Sequence, residues 1–392
     1  MIFRILIPMT LMLTVGCIYQ AVEFNDTVTN VNSEAIETKV AETLSTMTLE
    51  EKVGQLFMCD PGMLNDNWET TEVNEILLDN IRRYQPGGFI FFAPNIETPE
   101  QTKQFISDLQ SASKHGLIIA VDEEGGLVSR VGANNRMNFK WQPAMRQIGA
   151  SGDPQAAYQV GAELGAGLRY LGFTMNFAPV ADVDTNPDNP VIGSRSFGSD
   201  PSLVSEFVVH KTNGLQDNNV SAVIKHFPGH GDSYTDSHTG AVSLQHDRER
   251  LDSIEFVPFR AGIQAGADAV MIGHIALPSV TGDNTPATIS YEIVTGILRE
   301  EMGFDGLIVT DSLSMGAVSM YYELPDFCVQ AILAGNDLLL LQTNPAKGSG
   351  IAQFDAAFNA VLTAVRDGVI SEERLNESVT RILRVRYSIQ IE

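Results

Sequence analysis

The sequence predicts an α/β protein built as a single (β/α)8 barrel. Eight short apolar runs are mostly continuous rather than alternating, which is typical of strands buried on both faces of a parallel sheet. Longer amphipathic stretches separate them, and eight strands alternating with helices fit a barrel better than an open doubly wound sheet, the alternative. The runs are GQLFMC (54–59), GFIFF (88–92), LIIAV (117–121), FTMNFAPV (173–180), SAVIKHF (221–227), DAVMIGH (268–274), GLIVT (306–310) and DLLLL (337–341).

Helix signals lie between and after these runs. Thr48 and Glu51 have the spacing of a capping box, which predicts a short helix before the first run. Ser371 is a candidate N-cap for a closing helix. The apolar spacing of a helix recurs at Phe354, Phe358, Val361, Leu362 and Val365, ahead of Gly368, and at Leu375, Val379, Ile382 and Leu383.

Composition excludes several classes of protein. The chain has 392 residues, of which 44% are hydrophobic, so it can bury a large core and is neither disordered nor fibrous. Its formal net charge of −24 provides no positive field to collect phosphate groups. We therefore expect neither nucleic acid nor an anionic membrane surface as a partner.

The first residues resemble an export signal. An apolar run after Arg4 ends at Gly16 and Cys17, and it is too short to span a bilayer. A small residue before Cys resembles a bacterial lipobox, although Thr14 departs from that pattern, so acylation of Cys17 is favoured over plain signal cleavage. We expect an exported protein, either a tethered lipoprotein (periplasmic or cell-surface) or a secreted one. The predicted organisation is a signal peptide with a possible lipobox (1–17), a polar linker (18–33) and the barrel (34–392).

Two further cysteines, Cys59 and Cys328, lie in apolar runs and are predicted to be core residues. A single bridge between them remains an alternative.

Polar residues gather where the predicted strands end, and in a barrel of this kind the active site lies at the carboxyl ends of the strands. One such Asp is more often a helix N-cap than a catalyst. Five strand ends meeting at one barrel mouth favour a site instead. The residues are Asp122, Asp182, Asp184, Lys225, His226, His274 and Asp311.

The richest segment is KHFPGHGDSYTDSHTG, residues 225–240, which holds one Lys, three His and two Asp. Pro228, Gly229 and Gly231 exclude a regular helix through its first half. Acidic groups at a barrel mouth suit attack on a glycosidic bond, which needs one group to trap the anomeric carbon and another to protonate the leaving oxygen. The sequence has no GxSxG, P-loop or HExxH motif for the competing chemistries.

In this context the segment resembles the signature loop of the β-N-acetylglucosaminidase branch of the family 3 glycoside hydrolases. Five further segments match that family in order: PGGFIFFAPN (86–95), VDEEGG (121–126), NFAPVADVDTNPDNPVIGSRSFGSDP (176–201), PATISYEIVTGILREEMGFDGLIVTDSLSM (286–315) and AGNDLLLL (334–341). The resemblance implies a single-barrel, retaining, exo-acting β-N-acetylhexosaminidase that needs no cofactor. Its expected partner is an N-acetylglucosamine-containing oligosaccharide or a peptidoglycan fragment.

The resemblance also implies residue roles. Asp311 is the expected nucleophile, kept ionised with help from nearby Lys225. His238 is the expected acid/base, oriented and made more basic by Asp236. The substrate-binding residues it implies are Asp122, Arg195, Lys225 and His226. Leu127 stands where the family commonly has Arg, which removes a charge expected close to the sugar site or to the residues that support it.

Three alternatives remain open. A metal-dependent barrel hydrolase could use His226, His230, His238 and Asp311 as ligands. A tethered, non-catalytic sugar-binding protein is the second. Phosphorolysis in place of hydrolysis is the third, because a His acid/base repels phosphate less than a carboxylate does.

Overall fold

The computed structural model describes residues 33–389, and its centre is an eight-stranded parallel barrel. The strands pair in chain order, the first strand pairs with both the second and the eighth, and a bridge between Val309 and Leu338 joins the seventh to the eighth. The predicted barrel is therefore confirmed, and each predicted run contains one strand. These are β1 (Phe57–Cys59), β2 (Gly88–Phe91), β3 (Ile118–Val121), β4 (Met175–Asn176), β5 (Ser221–Phe227), β6 (Ala269–Ile272), β7 (Leu307–Thr310) and β8 (Leu339–Leu341).

Helices surround the barrel. The capping box of Thr48 and Glu51 forms as predicted, and the Ser371 side chain caps the last long helix. The main helices span 33–46, Leu49–Gln55, Glu75–Tyr84, Pro99–Ala112, Met145–Gly149, Pro154–Leu171, Pro201–Gln216, Phe256–Gln264, Leu324–Ala334, Gly350–Arg366 and Glu372–Ser388, with π-helical segments at Leu251–Glu255 and Glu292–Glu301.

The core explains why the strand sequences are continuously apolar. In β2, Ile90 packs with the residues that fill the barrel, whereas Phe89 and Phe91 pack outward against the helices. In β3, Ile118 packs inside the barrel and Ile119 packs outward against the helices. Both faces of each strand are therefore buried, and polar residues are displaced to the strand ends.

Cys59 and Cys328 are both buried and free, so the core prediction is confirmed and the bridge is excluded. Within residues 33–389 no helix is long and apolar enough to cross a bilayer. The predicted signal segment and Cys17 lie outside the described residues.

Candidate active site

A cavity of about 390 Å³ opens at the carboxyl ends of the barrel strands. Its size is at the small end of the range for ligand pockets. Six of the seven predicted catalytic and substrate-binding residues line it, and the seventh, Asp236, holds the ring of one of the six. The six are Asp122, Arg195, Lys225, His226, His238 and Asp311.

Asp311 directly follows β7, and its Oδ1 accepts a hydrogen bond from the Ser312 N–H at 2.7 Å. The next helix begins at Gly316 with Met315 as its N-cap, so Asp311 is not a capping residue. Burial by itself would raise the pKa of Asp311, but His226, His274, the Ser312 N–H and His238 together bring it below its ordinary value. The carboxylate is therefore ionised at neutral pH, as a nucleophile requires.

Lys225, which was expected to support Asp311, is paired with two other carboxylates. Its Nζ lies 2.7 Å from Asp122 Oδ1 and 2.8 Å from Glu124 Oε1, and its side chain is only 3% exposed. Burial alone would lower the pKa of Lys225, but these two carboxylates raise it above its ordinary value. Lys225 therefore stays charged and fixes Asp122 at the floor of the cavity.

Glu124 joins this cluster and was not assigned a role from the sequence. The Arg195 guanidinium donates two hydrogen bonds to its carboxylate, at 2.8 and 3.0 Å, and the Glu124 side chain is completely buried. Burial would raise the pKa of Glu124, but Arg195 and Lys225 hold it well below its usual range. The three consecutive acids of VDEEGG were the available signal, because a buried carboxylate at a strand end requires cationic partners.

His226 is oriented by Asp182, whose Oδ2 lies 2.7 Å from His226 Nδ1. The same carboxylate accepts hydrogen bonds from the backbone N–H groups of His226 and His230. His230 is buried, with Nδ1 on Ser233 and Nε2 on Ser237, and burial lowers its pKa to about 4. His230 therefore supports the loop from within.

His238 and Asp236 form a pair at the mouth of the cavity. Asp236 Oδ1 lies 2.7 Å from His238 Nδ1 and also accepts from the His238 backbone N–H at 2.8 Å. Because a carboxylate only accepts, Nδ1 carries the hydrogen and Nε2 is left to exchange a proton with a ligand. Burial would raise the pKa of Asp236, but its contacts with His238 lower it overall.

The loop that carries this pair is bonded directly to the segment that follows Asp311. Gly316 N–H donates to the His238 carbonyl at 3.1 Å, and Ala317 N–H donates to the Ser237 carbonyl at 3.0 Å. A Cβ at Gly316 would lie 2.6 Å from the His238 carbonyl oxygen, so this approach needs glycine. The main chain therefore sets the position of His238 relative to Asp311.

Two more cavity residues, Trp68 and Arg130, were not predicted. Arg130 lies on a hairpin whose backbone is held by the buried Glu123, which accepts from the N–H groups of Arg130 and Val131 at 2.7 Å. Leu127, at the turn of that hairpin, is 82% exposed and does not line the cavity. The position at which this chain has Leu in place of the family's Arg therefore lies outside the cavity. Arg130 is a cationic residue that does line the cavity.

The geometry does not favour the metal-hydrolase alternative. Nε2 of His226 lies 3.3 Å from the Arg195 guanidinium, which is itself a cation, and both ring nitrogens of His230 face serine hydroxyls. Across residues 33–389, no three His, Cys, Asp or Glu side chains are grouped so that they could hold a metal ion.

Comparisons with known proteins identify the family of this chain. The model of the glycosyl hydrolase family 3 N-terminal domain matches residues 48–385. The chain is 33% identical over 329 residues to beta-hexosaminidase A of Pseudoalteromonas piscicida, and the aligned region covers 79% of this chain and 54% of that protein. It is 35% identical over 283 residues to the beta-hexosaminidase of Methylobacillus flagellatus, covering 71% of this chain and 79% of the relative.

A solved family 3 beta-N-acetylglucosaminidase from Paenibacillus sp. str. FPU-7 superposes with a TM-score of 0.82 at 38% identity, covering 88% of this chain and 64% of that one. The chain belongs to glycoside hydrolase family 3. It spans about half the length of the Pseudoalteromonas relative and somewhat under two thirds of the Paenibacillus chain.

Proposed function

We propose that this protein is a retaining exo-β-N-acetylglucosaminidase that releases terminal, non-reducing N-acetylglucosamine. The observation that carries the proposal is the pairing, on one cavity, of an ionised Asp311 with a His238 ring held by Asp236. The beta-hexosaminidase and beta-N-acetylglucosaminidase names of the relatives support the same reaction.

In the first step an Asp311 carboxylate oxygen bonds to the anomeric carbon while the glycosidic carbon–oxygen bond breaks. The bonding electrons go to the leaving oxygen, which takes the proton from His238 Nε2. In the second step His238 takes a proton from water, the water oxygen attacks the anomeric carbon, and the bond to Asp311 breaks. Two inversions at one carbon retain the β configuration.

Binding of a single terminal sugar is supported by the floor of the cavity. Asp122, Lys225, His226 and Arg195 are largely buried and carry donors and acceptors fixed by one another, which suits directional hydrogen bonds to sugar hydroxyls. We propose that these four residues hold the N-acetylglucosamine ring and that a closed floor limits cleavage to chain ends.

A panel of aryl β-glycosides of N-acetylglucosamine, N-acetylgalactosamine and glucose tests this function. We expect hydrolysis of the N-acetylglucosaminide well above that of the glucoside. Equal or greater activity on the glucoside would contradict the proposal. EDTA is expected to leave the rate unchanged, and a loss restored by zinc would favour the metal hydrolase instead.

Phosphorolysis is tested by the same assay run with and without phosphate. A solved beta-glucoside phosphorylase is among the structural neighbours, at 26% identity and a TM-score of 0.77. We expect free N-acetylglucosamine under both conditions. Accumulation of N-acetylglucosamine 1-phosphate would reassign the reaction.

We further propose that the mature protein is exported and tethered through an acylated Cys17, since a Gly16–Cys17 pair ends the first apolar run. Mass spectrometry of the mature N-terminus tests this. A free terminus at another residue would indicate plain secretion.

A further inference from the structure

An aromatic wall lines the cavity on the side of the barrel formed by the loops after β1 and β2. Trp68 lies on the loop after β1, and Phe92 directly follows β2. Both residues line the same cavity as His238 and Asp311. Their ring centroids are 5.2 Å apart with planes at 33°, so Phe92 supports the indole ring.

Hydrogen bonds fix the Trp68 loop in place. The buried Asn95 side chain donates to the carbonyls of Trp68 and Thr70, at 3.1 and 2.9 Å, and accepts from the Phe92 N–H at 2.9 Å. A Cβ at Gly62 would lie 2.9 Å from the Trp68 Cα, so the main chain at Trp68 also packs closely against Gly62. The main chain that carries the indole is therefore held in place before any ligand binds, which reduces the entropy cost of binding.

The depth of the polar groups indicates which part of a substrate meets this wall. Lys225 and Glu124 are buried at the floor, whereas the His238 side chain is 62% exposed at the mouth. A glycosidic oxygen must reach His238 Nε2 to receive its proton, so the leaving group lies at the mouth. Trp68 is partly exposed, which is consistent with a position near that level.

The chemistry of the wall matches a sugar ring. A pyranose presents C–H groups on its faces, and these pack well against an aromatic surface. Within residues 33–389 the indole N–H of Trp68 makes no hydrogen bond, so it can donate to a ring substituent.

We propose that Trp68, supported by Phe92, forms a leaving-group subsite that packs against a second pyranose ring. This inference rests on the proposed function and narrows it: the substrates are oligosaccharides in which the terminal N-acetylglucosamine is attached to another sugar.

Kinetics on two leaving groups of different size test the subsite. In N,N′-diacetylchitobiose the leaving group is a sugar, and in N-acetyl-β-glucosaminyl fluoride it is one atom that cannot reach the indole. Trp68→Ala should lower kcat/KM for the disaccharide about 3- to 10-fold, in the range of an aromatic packing interaction. The same substitution should leave kcat/KM for the fluoride, and inhibition by free N-acetylglucosamine, unchanged. Trp141→Ala is the matched control, since Trp141 is half-exposed and does not line the cavity.

Equal losses on both substrates would place Trp68 against the terminal sugar and overturn the subsite, as would no loss on either. Failure of the unmodified protein to cleave the fluoride would instead refute the proposed function.

Tryptophan fluorescence gives a second readout that does not require turnover. The chain has two tryptophans, so Trp141→Phe leaves Trp68 as the sole reporter. Combined with Asp311→Asn to prevent cleavage, this variant should change its emission more with diacetylchitobiose than with N-acetylglucosamine. The same titration with Trp68→Phe and Asp311→Asn, which keeps Trp141, should show no such difference. An equal response of the Trp68 reporter to both sugars, or none, would contradict the subsite.

Discussion

Replacing His238 by Ala should separate the two chemical steps. The His238 side chain is 62% exposed, and its described hydrogen-bond partner is the partly exposed Asp236. The bonds that hold this loop to Gly316 and Ala317 use the main chain and survive the substitution. We therefore expect a stability change within about 0.5 kcal/mol, as for other surface substitutions. Any large loss of activity then reports on chemistry rather than folding.

The size of that loss should depend on the leaving group. A sugar alkoxide needs a proton, so hydrolysis of an oligosaccharide should fall by about 10²–10⁴-fold, the usual contribution of general acid catalysis. A dinitrophenolate needs almost none, so Asp311 should still form the glycosyl-enzyme from an activated aryl glycoside. Hydrolysis of this glycosyl-enzyme should then be slow, because the base that takes a proton from the attacking water is missing.

Stopped-flow measurement with the dinitrophenyl glycoside should show a burst of phenolate equal to the enzyme concentration. Azide needs no base, so it should accelerate the second step and give the β-glycosyl azide after two inversions. Asp311→Ala is the control: it should show no burst, and any azide product should be α, because azide then inverts the anomeric carbon once. Equal loss on activated and unactivated substrates, with no burst and no azide effect, would refute the role of His238.

Three other substitutions test the surrounding contacts. Asp236→Asn should give a milder form of the His238→Ala phenotype, because an Asn Oδ1 can still accept from the backbone N–H but orients the ring less well; kinetics equal to the unmodified protein would contradict this. Glu124→Gln should lower the free energy of unfolding by about 3–5 kcal/mol, because the substitution removes the negative charge shared by two buried cations, Arg195 and Lys225. Urea denaturation measures this change, and a decrease below about 0.5 kcal/mol would refute the prediction. Burial lowers the pKa of Lys211 to about 8. Above that pH the unfolded chain therefore binds more protons at this residue than the folded protein does. The free energy of unfolding of the unmodified protein, measured relative to that of Lys211→Met, should rise by about 2 kcal/mol between about pH 7 and pH 9.5. A difference between the two proteins that does not change with pH would contradict this.

The barrel could be predicted because its signal is local. Each strand is a short run such as Phe89–Phe91 whose neighbours face alternately the barrel interior and the helices, so both faces must be apolar. The helix signals at Thr48 and Ser371 are local as well, since a cap is satisfied by a backbone N–H three residues away. Such features need no knowledge of the tertiary structure.

Contacts between distant segments could not be predicted in the same way. Lys225 and Asp311 both follow strands, which suggests that they pair, but the Lys225 ammonium group lies between Asp122 and Glu124, about 100 residues earlier in the chain. Trp68 belongs to a polar loop without a motif, and hydrogen bonds from distant side chains such as Asn95 hold this loop at the cavity. A strand-end position identifies a candidate residue, whereas its partners depend on loop paths that the hydrophobic pattern does not encode.

The connection between the loops of Asp311 and His238 illustrates this difference. Two main-chain hydrogen bonds join residues 237–238 to residues 316–317, and they require a glycine at 316. A nucleophile and an acid/base that act on one bond must keep their separation within a fraction of an ångström. Here that separation depends on backbone groups rather than on a salt bridge between side chains. Substitutions at Gly316 should therefore impair catalysis although no atom of this residue takes part in the reaction.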